Sequence, residues 1–81
     1  MEQAAIYATL TKVFQDVFDD EVELRPDLAA SDVDGWDSLT HIRLMLSVEK
    51  AFQVKFSTSE IGSLKDVGDL VRLIDKRTKK S

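Results

Sequence analysis

The stretch Gly35-Trp36-Asp37-Ser38-Leu39-Thr40-His41-Ile42-Arg43-Leu44-Met45-Leu46-Ser47-Val48-Glu49-Lys50-Ala51-Phe52 decides how this chain folds. A flexible glycine and a capping acid are followed by fifteen residues with no breaker. Met45, Val48 and Phe52 recur at helical spacing, with Leu44 and Ile42 at the edges of that stripe. Asp37 is a natural N-cap, because its carboxylate can accept an otherwise unpaired backbone N–H of the first turn. The reading is a helix over residues 38–52 with one apolar face. At 100° per residue, Leu39 and Leu46 fall on the opposite face, beside Arg43 and Lys50.

Working outward, the same period appears on both sides. Residues 4–18 carry Ile6, Leu10, Val13, Phe14 and Val17 on one face, which predicts a first amphipathic helix with those residues in the core. Ser57-Thr58-Ser59-Glu60 has capping-box spacing and predicts a short helix closed by Gly62-Ser63, with Val54, Phe56 and Ile61 packing inward. Asp66 caps a last helix over about residues 66–77, whose buried stripe is Val67, Leu70, Val71 and Ile74. Gly68 weakens that helix slightly and suggests a close helix approach. No strand pattern and no internal repeat is present. The fold class is all-α: a four-helix bundle with a long loop between helices one and two and a short third helix.

That loop, residues 19–37, has no regular pattern. It holds Pro26, Gly35 and spaced apolar residues Leu24, Leu28 and Val33 that could pin it to the core. Long structureless connections in small domains are uncommon and often functional; a passive linker is the plain alternative. The loop is also acidic: from Asp16 to Asp37 there are nine acids and one base, Arg25.

Length and composition narrow the function. The 81 residues make one domain, too small to wall off a deep catalytic pocket easily, so a binder, scaffold or cofactor platform is expected before an enzyme. Apolar residues are 43% and charged residues 32%, which fits a globular domain. There is no cysteine, hence no disulfide and no thiolate metal site. No apolar run approaches a membrane span, and Met1-Glu2-Gln3-Ala4 does not open a signal peptide, so cytoplasmic residence is the default. The net charge of −4 and the acidic front half disfavour nucleic acid. Lys76, Arg77, Lys79 and Lys80 suit the C-terminal end of a helix through its macrodipole, and residues 76–81 are expected to fray as a basic tail.

Ser38 is the candidate for chemistry. It opens the second helix, where backbone donors and the helix dipole favour a negative group, and its hydroxyl is reachable. On the residues alone a routine serine at a helix start is the simpler description. Asp37, Ser38 and His41 invite a nucleophile–base reading, but three neighbours at one helix start cannot readily form the relay, and no oxyanion hole is apparent. His41 falls on the stripe of Met45 and Val48 and reads instead as a partly buried polar residue. Asp32, Asp34 and Asp37 suggest a calcium loop, yet the positions five, six and twelve counted from Asp32 are Trp36, Asp37 and Arg43, which breaks the pattern.

Asp37-Ser38-Leu39 at the start of the second helix resembles the modification motif of the acyl carrier protein family. The resemblance spans essentially the whole chain: Leu24-Arg25-Pro26, Val33-Asp34-Gly35-Trp36-Asp37-Ser38-Leu39, Val48-Glu49-Lys50-Ala51-Phe52 and Leu64-Lys65-Asp66-Val67-Gly68-Asp69-Leu70. It implies that a phosphopantetheinyl transferase, using coenzyme A and Mg²⁺, attaches a 4′-phosphopantetheine arm to Ser38. The arm's thiol then holds acyl or aminoacyl groups as thioesters for ligases and acyltransferases, while the chain itself is no enzyme. It further implies partner contacts at Leu39 and Leu46; Arg43 and Lys50 flank them. Between Ser38 and Phe52 the only acid is Glu49, whereas many fatty-acid carriers have an acidic second helix. A carrier dedicated to a specialised pathway, such as an aminoacyl or D-alanyl carrier, is therefore expected, with cargo space among Phe14, Met45, Val48, Phe56 and Ile61. The alternative is an unmodified helical interaction module, a degenerate carrier.

Overall fold

The computed structural model describes residues 2–19 and 21–78. They form four α-helices: α1 (Gln3–Phe18), α2 (Ser38–Phe52), α3 (Thr58–Gly62) and α4 (Val67–Thr78). The all-α architecture, the long first connection and the short third helix are those expected. The α2 boundaries coincide with the reading of its cap and stripe.

Each helix buries the face its period dictates. Ile6, Leu10, Val13 and Phe14 of α1 meet Leu44, Met45, Val48 and Phe52 of α2 and Val67, Leu70, Val71 and Ile74 of α4 in one cluster. No polar or charged side chain is buried among the described residues. Leu44, expected at the edge of its stripe, is completely buried, whereas Ile42 on the other edge is 53% exposed. Helices α1 and α2 each stop at a left-handed residue, Asp19 (φ 55°) and Gln53 (φ 56°). The Gln53 N–H donates to the Glu49 carbonyl, satisfying one of the last orphan acceptors of α2. The capping box of α3 is formed: Glu60 N–H donates to Ser57 Oγ (3.1 Å) and Ser57 N–H to Glu60 Oε1 (2.9 Å).

The first connection is more ordered than its sequence suggests. It contains a 3-10 turn, Ala30–Asp32, whose Asp32 carboxylate accepts from Ala29 N–H (3.0 Å). Leu28 is buried, and Leu24 and Val33 are half-buried against the core, so the spaced anchors do hold the loop. The loop backbone also serves as the cap of α4. Val67 N–H donates to the Leu28 carbonyl (2.9 Å) and Gly68 N–H to the Pro26 carbonyl (2.8 Å). Asp69 N–H donates to Asp66 Oδ1 (2.8 Å), which makes Asp66 the side-chain cap that was expected. The close approach at Gly68 is therefore to the loop and not to another helix. A Cβ there would lie 2.8 Å from the Pro26 carbonyl oxygen. At the other end, Lys76 and Arg77 occupy the last turn of α4, and Arg77 pairs with Glu60 of α3. Residues 79–81 of the expected basic tail lie outside the described residues.

Candidate functional site

Ser38 is the first residue of α2 and is exposed. Its position is fixed from both sides. On the helix side, Asp37 caps α2, its Oδ1 accepting from Thr40 N–H at 2.9 Å. That backbone bond holds the Asp37 carboxyl below the ordinary aspartate value, so the cap is ionised at neutral pH. On the loop side, Gly35 takes a positive φ of 86°, a conformation glycine adopts without strain, and turns the chain into the helix.

Trp36 anchors that turn. Its ring meets Phe14 edge-on with centroids 5.4 Å apart, and Phe18 at 6.0 Å. Its indole N–H donates to His41 Nδ1 at 3.0 Å. Because indole can only donate, Nδ1 is the acceptor and the proton of the neutral ring sits on Nε2. Nε2–H in turn donates to the Ile61 carbonyl of α3 at 3.1 Å. Both ring nitrogens are thus engaged away from Ser38, so Asp37, Ser38 and His41 do not form a catalytic relay. Among the described residues no group of three or more His, Cys, Asp or Glu side chains is arranged to hold a metal, and the acidic loop is no exception.

Beside Ser38 opens a cavity of about 590 Å³ between α2, α3 and the ends of the two loops. Ile42, Met45, Ile61, Leu64 and Leu70 form its apolar walls, while Asp37, Lys65 and Asp66 are the charged residues that line it. Of the five residues expected to shape such a space, only Met45 and Ile61 line it. Phe14 and Val48 are completely buried in the bundle core, and half-buried Phe56 packs against that core. Trp36 and Leu64, which do line the cavity, were not read as cavity residues. Their signal was the short α3 itself, which leaves this side of the bundle incompletely covered.

The outer face of α2 carries Leu39, Ile42 and Leu46, which are 69%, 53% and 60% exposed. They follow one another at three- and four-residue steps and so form a continuous stripe. Arg43 and Lys50 are exposed on the same helix. Glu49, the only acid of α2, is half-buried and accepts from Phe56 N–H through Oε2 at 2.7 Å. Leu39, Arg43, Leu46 and Lys50 are therefore all available on the surface, and Ile42 belongs with them although the sequence suggested the core edge.

No family model matches the chain. A solved structure does: the solution structure of a holo acyl carrier protein from Geobacter metallireducens is similar over 86% of this chain and 82% of its own, with 44% sequence identity and a TM-score of 0.81. Identity at that level across most of both chains, together with a superposable helix arrangement, goes well beyond a shared fold: this chain belongs to the acyl carrier protein family.

Proposed function

We propose that this acyl carrier protein is modified at Ser38 with a 4′-phosphopantetheine arm and serves a dedicated pathway. The observation that carries the reading is the exposed Ser38 hydroxyl at the start of α2, on the edge of an apolar cavity. A helix start offers backbone N–H groups and the positive end of the macrodipole to a phosphodiester. When bound, the arm supplies a thiol that holds acyl or aminoacyl groups as thioesters. Ser38 contributes the oxygen that is linked to phosphorus in a transferase reaction: the new O–P bond forms as the pyrophosphate P–O bond of coenzyme A breaks, the nucleotide half leaves as adenosine 3′,5′-bisphosphate and the hydroxyl proton is released. Asp37 and Trp36 hold that hydroxyl at a fixed point of the surface. Ile42, Met45, Ile61 and Leu64 offer apolar surface on which a chain can be sheltered from water. The chain itself catalyses nothing in this scheme, and cytoplasmic residence is part of the same proposal.

Co-expression with a broad-specificity phosphopantetheinyl transferase, followed by intact mass measurement, tests the site. The wild-type chain gains one arm and Ser38→Ala gains none. Equal gain in both, or gain in neither, rejects Ser38 as the attachment point, and gain in neither also favours the unmodified interaction module.

The character of α2 supports the dedicated pathway. Its exposed charges are Arg43 and Lys50, and its only acid is turned toward Phe56 N–H. Charge complementarity governs partner choice and association rate more than raw affinity. This face suits ligases, acyltransferases and a transferase whose docking surfaces are apolar or acidic around the Leu39–Leu46 stripe. Reversing Arg43 and Lys50 to glutamate is expected to slow loading by the dedicated ligase. Efficient use of the wild-type carrier by general fatty-acid synthase enzymes would contradict this part of the reading.

A further inference from the structure

His41 stands where three elements meet, and the proposed function leaves it without a role. It belongs to α2, accepts from Trp36 of the first loop and donates to the Ile61 carbonyl of α3. All three residues line the cavity beside Ser38. The two partners leave the ring no freedom: an indole N–H can only donate and a carbonyl can only accept, so the ring is held neutral with its proton on Nε2.

The element held by this ring is weakly attached. Helix α3 has five residues, none of them fully buried. Its side chains are otherwise tied to the bundle by the partly buried Ile61 and by the ion pair from Glu60 to Arg77, on partly exposed groups. The bond from His41 to Ile61 therefore fixes the end of α3 that faces the cavity.

We propose that His41 is a positioning residue, a proton-sensitive latch on the cavity beside Ser38. With a neutral ring, Trp36 and Ile61 are held on α2 and the cavity keeps its walls in place. A proton taken from solvent at Nδ1 converts that atom from acceptor to donor. It then opposes the indole N–H, the Trp36 tie breaks, and the loop and α3 loosen around the cavity. Histidine is suited to this because its charge change ordinarily falls between pH 5 and 8. The charged groups that line the same cavity are Asp37, at the N-cap of α2, and Lys65 and Asp66, between α3 and α4. The first loop contributes Ala30 and Trp36, α3 contributes Thr58, Ile61 and Gly62, and α4 contributes Leu70. Phe14 and Phe18 of α1 meet the Trp36 ring edge-on. Beside His41 itself, the ionisable residues among these are Asp37, Lys65 and Asp66. The Glu60 carboxylate is engaged with Ser57 N–H and Arg77. The use of the latch, to switch a cargo between sheltered and presented states, rests on the carrier reading above.

The test uses the unmodified full chain, so it stands apart from whether Ser38 takes an arm. Nitrogen chemical shifts of His41 and solvent exchange of the Trp36 indole N–H are followed by NMR between pH 8 and pH 5, with exchange normalised to free tryptophan at each pH. In the wild type the ring is expected as the Nε2–H tautomer at pH 8. Indole protection is expected to fall about fivefold or more as the ring titrates. Protection of the Ile61 and Ser63 amides, which donate to Ser57 and Ser59, should fall with the same midpoint. His41→Gln, which keeps one acceptor and one donor without titrating, should retain protection at both pH values. His41→Phe, which keeps a ring but loses both bonds, should lack it at both. An Nδ1–H tautomer, unchanged indole protection across the titration, or the same pH dependence in His41→Gln would each overturn the latch.

Discussion

The two sides of this bundle are closed by different means. Where the first loop crosses the start of α4, closure is by backbone: the Pro26 and Leu28 carbonyls accept from Gly68 and Val67, Leu28 is buried, and Gly68 is flush against the loop. Where α3 crosses the gap between α2 and α4, closure is by side chains: the His41 ring, the ion pair of Glu60 with Arg77, and the half-buried Ile61 and Leu64. Backbone closure leaves no slack, because every carbonyl that moves strands a donor in the interior. Side-chain closure can be undone one contact at a time. The proposed attachment point and the cavity lie on the second side.

That contrast can be broken most forcefully at Leu28. Leu28→Ala is expected to cost about 3 kcal/mol in a urea titration, because it empties a core position and weakens the anchor of the α4 cap. A loss below about 1 kcal/mol would mean that the loop does not close its side of the core. Gly68→Ala comes next. Alanine gains helix propensity, but its methyl meets the Pro26 oxygen, and a net loss of about 1–2 kcal/mol is expected. A stabilised Gly68→Ala would show that the loop gives way easily and that the two sides do not differ. On the α3 side, Ile61→Ala removes a half-buried side chain and should cost only about 1 kcal/mol. It should nevertheless raise amide exchange in α3 more than in α1, which hydrogen exchange would report. At the start of the same side, Gln53→Gly relieves a left-handed residue and should stabilise by about 0.5–1 kcal/mol.

The smallest effect concerns acid. Glu60 is lowered from its ordinary 4.5 to about 2, first by the Ser57 backbone N–H and then by Arg77. A carboxylate lowered on folding adds stability above its unfolded value, and that stability fades as pH falls from about 4.5 toward 2. Asp69, lowered chiefly by the Lys65 backbone N–H, acts in the same direction at the start of α4. Glu60→Gln should flatten only part of the acid-induced loss in urea midpoints measured between pH 5 and pH 2. An unchanged acid profile would show that the clamp of α3 by Glu60 contributes nothing.

The helices were legible because their signals are local. Asp37 and the Met45–Val48–Phe52 stripe located α2, the Ser57–Glu60 box located α3, and Asp66 located the start of α4. The exposed serine at the head of α2 and the outward Leu39 and Leu46 were legible for the same reason. What escaped depends on contacts distant in sequence. The cap of α4 is made by carbonyls of Pro26 and Leu28, and a carbonyl has no residue-type signature. The cavity depends on how far α3 covers α2, so Phe14, Val48 and Phe56 were expected around it where Trp36 and Leu64 in fact stand. Ile42 sits at a stripe edge, and only the absence of a helix over it decides that it faces outward. His41 was legible as a half-buried polar residue, but its partners lie five and twenty residues away.

Trp36 has one more consequence. It is the only tryptophan in the chain, and its ring forms part of the wall beside Ser38. The protein therefore carries its own optical gauge. Apolar cargo entering the cavity displaces water from the indole and shifts its emission toward the blue. Loading, sheltering and hand-over can then be timed in a stopped-flow fluorimeter with no label attached to either carrier or cargo.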